Sequence, residues 1–186
     1  MTLIIVLAAV VLFILIFAGI YNGLVRVRNQ VRNAWAQIDV QLKRRHDLIP
    51  NLVETVKGYA KHERDTLDSV TQARAAAQKA AGAGVEAQAQ AERKLSSSLM
   101  NLFAVAENYP DLKANQNFLS LQEELASTEN KIGFARQFYN DAVMNYNVKI
   151  QSVPTNVVAS MFGFREEKMF EIEDAREKEV PKVSFS

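Results

Sequence analysis

Residues 2 to 25, TLIIVLAAVVLFILIFAGIYNGLV, carry no charged side chain, and from Leu3 to Ile20 the run is apolar apart from Gly19. Few folds accommodate such a run. About 20 residues at ~1.5 Å each cross the ~30 Å hydrocarbon core of a bilayer as a helix, and a helix satisfies its own backbone polar groups where lipid offers none. The run therefore predicts a transmembrane anchor over residues 1–25. A cleavable signal peptide needs a basic leader and small residues at the cleavage site. Here only Met1 and Thr2 precede the run, and Ile16 stands two residues before Ala18, so the anchor is read as uncleaved. Arg26, Arg28, Arg32, Lys43, Arg44 and Arg45 all follow the run and no basic side chain precedes it. The positive-inside rule then puts the short N-terminus outside and the remainder in the cytoplasm.

The residues beyond the anchor make it an axis. From Leu24, the residues Val31, Trp35, Ile38, Leu42, Ile49, Leu52, Val56 and Tyr59 recur in steps of three and four or their sum, with Arg28 and Arg45 as the polar exceptions in register. That is a heptad seam, one stripe of a helix packed on other helices. The register passes through Pro50 without a slip, although proline lacks an N–H and crowds the carbonyl four residues back, that of His46. The phase predicts one kinked helix from the membrane to about Tyr59. A new helix opening with Pro50 in its first turn is the alternative.

The remaining chain is long enough for one domain with one core. It has 22 Lys and Arg against 21 Asp and Glu, so no global charge draws it to nucleic acid. There is no cysteine, which excludes disulfides and thiolate metal sites. Helical patterns continue over about residues 63–81 (Leu67, Val70, Ala73, Ala77, Ala80), 85–107 (Leu95, Leu99, Leu102, Ala106) and 112–152 (Phe118, Leu121, Leu125, Thr128, Ile132, Ala135, Tyr139, Ala142, Tyr146). Gly82-Ala83-Gly84 separates the first two, and Asn108-Tyr109-Pro110-Asp111 ends the second, with Asp111 placed to cap the third. The expected fold is all-α: an N-terminal transmembrane helix continuing into an antiparallel up-and-down four-helix bundle over residues 26–153. If the glycines do not break the helix, three long helices result. An apolar segment and charged tail occupy residues 154–186.

Candidate sites are sparse. Gly19 and Gly23 form a small-x-x-x-small pair that suits close packing of spans, or are simply glycines tolerated near an interface. Val157, Val158, Met161, Phe162 and Phe164 make an apolar patch that either packs over the bundle end or dips into the membrane interface. The run from Arg165 to Lys182 reads as a solvated tail, with Met169, Phe170 and Phe185 as possible docking residues. His46 and His62 lack the spacing of zinc ligands on a helix. No metal, cofactor or catalytic constellation is expected. Asn140, Asn145 and Asn147 around Tyr139 and Tyr146 read as a polar layer fixing helix register. Glu129 and Arg136 share a flank of the last long helix, and Arg45 falls on the seam of the first. An arginine on a core face is costly unless paired, so Arg45 is expected to meet a carboxylate: Glu129, Glu124 or Glu107. Arg45, Glu129, Arg136 and Asn140 are together the expected structural polar layer.

The strings NAWAQIDVQLKRRHDLIPNLVETVKGYAKHE (Asn33 to Glu63), AENYPDLKANQNFLSLQEELASTENKI, ARQFYNDAVMNYN and PTNVVASMFGF resemble the LemA family. The resemblance spans about residues 20 to 182; Gly82 to Gln90 lies outside its motifs. It implies a single-pass bacterial cell-membrane protein with a helical bundle, and it carries over no catalytic residue. Two functions fit. One is a non-enzymatic scaffold in the lipid bilayer that self-associates as a homo-oligomer or binds another membrane protein. The other is an accessory or sensor module holding a ligand between helices around Arg45, Glu129 and Asn140. A hydrolase is the weakest reading, since it requires a concave site with perturbed carboxylates.

Overall fold

The computed structural model describes residues 1–170. Helix α1 runs unbroken over Thr2–Tyr59, about 87 Å at ~1.5 Å per residue. Its residues 2–16 are exposed on every side, and Phe17 is the first to be half-buried. An apolar helix uncovered all round has the character of a membrane span. From Leu24 onward the seam is buried at Leu24, Val27, Val31, Ala34, Ile38, Leu42, Ile49, Leu52 and Val56. The seam ends there, because Tyr59 is exposed and its hydroxyl accepts a bond from Asn115 Nδ2 at 2.9 Å.

Pro50 lies inside the helix. The carbonyl it leaves without an intrahelical donor is that of His46, and Arg74 Nε donates to that oxygen at 2.7 Å. A neighbouring helix thus replaces the missing bond, and α1 continues.

Helices α2 (Arg64–Ala80) and α3 (Val85–Ala106) form a hairpin. Its turn uses Gly82 at φ 82° and Gly84 at φ 104°, a region that L side chains rarely adopt. The predicted last long helix begins later than expected. Asn115, not Asp111, is the cap: its Oδ1 accepts from Phe118 N at 3.0 Å. The residues before it close into the single turn α4 (Pro110–Lys113), followed by α5 (Gln116–Gln151) and the short α6 (Thr155–Met161). At the end remote from the apolar run, Tyr109 Oη donates to Glu63 Oε1 at 3.0 Å and ties two connections together.

Two hydrophobic clusters divide the core. One joins Leu24 to Leu42 of α1 with Ile132 to Ile150 of α5; the other joins Ile49 to Val56 of α1 with Leu67, Val70 and Ala77 of α2, Leu95 to Ala106 of α3, and Phe118 and Leu125 of α5. The start of α1's buried seam meets the end of α5, so the two are antiparallel. The hairpin is too short to cover them fully: α2 has 17 residues and α5 has 36, about 25 Å against about 54 Å. It fills the half away from the apolar run. In the half near that run, α6 and the extended residues 164–170 take its place, burying Val158, Ala159, Phe164 and Phe170.

Candidate functional site: a buried ion cluster, a held tail and two open apolar faces

Arg45 is 2% exposed. Its Nη1 donates to Ser96 Oγ at 3.0 Å and to Glu129 Oε2, and its Nη2 donates to Glu92 Oε2. His46 Nε2 stands 2.9 Å from Glu92 Oε1. One level of the bundle therefore ties α1 to α3 and α5, while Arg74 ties α2 to the same turn of α1. Burial pushes the Glu92 carboxyl up, but His46 and the Arg45 guanidinium outweigh it, so the group sits below the ordinary carboxylate range. Both terminal nitrogens of Arg45 are committed to protein acceptors, which makes this cluster a clamp between helices and not a ligand pocket.

Of the carboxylates expected for Arg45, Glu129 is present. Glu124 instead pairs with Arg44 at 2.7 Å, and Glu107 pairs with Lys113. Glu92 escaped the sequence reading, although its position carries a signal. Reading the α3 seam backward from Leu95 gives Glu92 and then Gln88, and both are buried. A charge on the seam of α3 is the complement that the charge on the seam of α1 requires.

The expected single layer of Arg45, Glu129, Arg136 and Asn140 is two separate sites. Glu129 and Asn140 are eleven residues apart on α5, about 16 Å along its axis, so they cannot share a level. Asn140 and Arg136 belong to a different structure. The Asn140 side chain accepts from Phe170 N at 2.8 Å and donates to Phe170 O at 3.3 Å. Asn147 does the same for Glu167, accepting from its N at 3.0 Å and donating to its O at 2.9 Å. Seven helical residues rise about 10.5 Å and three extended residues span about 10 Å. The two amides thus match the repeat of an extended chain running antiparallel to α5. Tyr139 Oη donates to Lys168 O at 2.9 Å between them. Burial, with a smaller push from Glu167, raises that phenol to about 12, so it remains a donor.

Phe170 closes the segment. Its ring lies 5.9 Å from Trp35, and the Arg136 guanidinium sits 5.1 Å from its centroid. Nearer the apolar run, Arg28 lies 4.7 Å from the Phe164 ring. Lys168 bridges to Glu86 of α3 at 2.8 Å. The first part of the expected solvated tail is therefore held along α5; Phe185 lies outside the described residues. Met169 is exposed, while Phe170 docks on its own chain.

Gly23 lies against Lys149 of α5, whose Nζ is 3.5 Å from where a Cβ would stand, whereas Gly19 faces open space. The apolar patch divides. Val158 and Phe164 are buried; Val157, Met161 and Phe162 remain largely exposed. A second open face lies across α1 and α5 on the bundle itself, where Phe134 is 74% and Phe138 52% exposed. With Ala36, Val40 and Ala135 they line an open cleft of roughly 540 Å³. Among the described residues, no three His, Asp or Glu side chains converge as metal ligands would.

These features define a class: an all-helical protein on an apolar N-terminal helix, with its buried charges joining helices and apolar surface left open. The LemA family profile matches residues 34–185, and the chain belongs to the LemA family. It is 28% identical over 171 residues to Protein LemA of Metamycoplasma hominis, covering 91% of this chain and 77% of that protein. It is also 24% identical over 187 aligned residues to magnetosome proteins MamQ 1 and MamQ 2 of Paramagnetospirillum magneticum, covering 88% of this chain and 69% of each.

Proposed function

We propose that this protein is a non-enzymatic, membrane-anchored scaffold that self-associates through the cleft between α1 and α5, with its bundle on the cytoplasmic side. The observation that carries this reading is the exposed pair Phe134 and Phe138 beside Ala36 and Val40. Large rings stand next to a small-residue cleft on one face, a self-complementary arrangement suited to a two-fold contact. Copies anchored by the same helix carry this face at the same height above one membrane. A two-fold axis along the membrane normal brings the two faces together without tilting either bundle. The cleft is chiefly apolar, so the association is expected to resist salt. Orientation rests on Arg26, Arg28 and Arg32 directly after the apolar run.

Because the chain has no cysteine, disulfide trapping in native membranes is a clean test. Phe138→Cys is expected to yield a covalent dimer on oxidation, while Gln72→Cys, on the outer surface of α2, yields none. Equal trapping at both positions, or at neither, would refute the cleft as the contact.

A further inference from the structure

We infer that α6 and Phe162 lie in the membrane interface, giving the bundle a second lipid contact beside its span. The inference rests on residues 2–25 being the span, and goes beyond it. A hydrocarbon slab of about 20 helical residues placed anywhere within that charge-free run encloses both Phe17 and Tyr21. The Phe162 ring lies 5.9 Å from Phe17 and 4.8 Å from Tyr21. Phe162 is therefore fixed at the lipid boundary by the helix it packs on.

The rest of α6 has the form that such a position requires. Its inner side, Val158 and Ala159, is buried on α1 and α5. Its outer side is mainly apolar: Val157 is 55% and Met161 67% exposed, and Val153 just before it is 82% exposed; the exposed Ser160 returns its hydroxyl to Val157 O at 2.9 Å. An outer face of this kind is unfavourable in water and favourable among acyl chains and headgroups. Basic groups stand at the adjoining level, where phosphates would meet them. Lys149 packs over Gly23, Arg26 is exposed, and Arg165 comes directly after Phe164, whose ring faces Arg28. The occupant is thus the lipid surface, continuous with the lipid around the span. Two attachments would hold the bundle at one rotation about the span, and so present the α1–α5 cleft in the membrane plane.

The test uses full-length chains carrying one nitroxide label each, on Leu12→Cys, Val157→Cys, Met161→Cys or Gln90→Cys, in vesicles of phosphatidylcholine and phosphatidylglycerol. Labels at Val157 and Met161 are expected to collide with oxygen, and several-fold less with a water-soluble nickel chelate than the label at Gln90. Leu12 should report a deeper position. Nickel access at Val157 and Met161 equal to that at Gln90, with Leu12 deep, would overturn the inference and leave the span intact. Labels shielded from both reagents would also overturn it, in favour of a covering protein. Nickel access at Leu12 would remove the span reading and the inference together.

Discussion

Arg45 shows how one residue constrains the whole interior. Its charge is out of water, so its two carboxylates are a requirement of folding. Arg45→Ala is expected to cost about 3–5 kcal/mol, read as a lowered thermal midpoint of the full-length protein in detergent; an unchanged midpoint would show that the cluster holds nothing. Acid acts on the same site. The Glu92 carboxyl is lowered on folding, so its contribution is fully present above the unfolded value of about 4.5 and fades as pH falls through the folded one. Stability should therefore drop below about pH 4.5, and Glu92→Gln should flatten that slope; a parallel slope in the variant would assign it to other carboxylates. Pro50 and Arg74 make a second pair, coupled through the His46 carbonyl. Arg74→Met should cost about 1–3 kcal/mol in the native sequence and measurably less beside Pro50→Ala, which restores the helical donor. Additive effects would mean that the Arg74 bond does not answer the proline. The sequence marked Arg45 because a charge interrupts an apolar seam. It hid Glu92 because the alanine- and glutamine-rich start of α3 obscures where that seam continues.

Among the elements, the long helices follow from periodicity, and α1 in particular from a register that ignores Pro50. The short ones do not. α4 exists because Asn115 caps α5 later than the proline suggested, a choice made by one side-chain bond. The segment 164–170 has no period at all, being charged and lacking regular structure, and its order is supplied by α5. Asparagines on a helix surface look alike in sequence whether they face water, a helix or an extended chain; only the tertiary fold separates these cases. Asn140→Ala and Asn147→Ala each remove two bonds to the tail. Amide exchange at Phe170 and Glu167 respectively is expected to rise about tenfold or more, corresponding to ~1.4 kcal/mol, while α5 stays protected. Unchanged exchange at both amides would show that Phe164 and Phe170 hold the segment without the ladder.

As a whole, the molecule is a single helix that leaves the apolar run and becomes the spine of the bundle. The hairpin α2–α3 covers the far half of that spine, and α6 with the held tail covers the near half. Such an arrangement couples the orientation of the apolar N-terminal run directly to the faces the bundle presents, as the proposed scaffold role requires. The most direct measurement is the mass of the full-length protein in mild detergent at low and high salt, beside its Phe134→Glu, Phe138→Glu variant. A scaffold of this kind forms a discrete assembly that persists in high salt and falls to a monomer in the variant. A native protein that is monomeric at every concentration and salt, with the bundle folded, would contradict it.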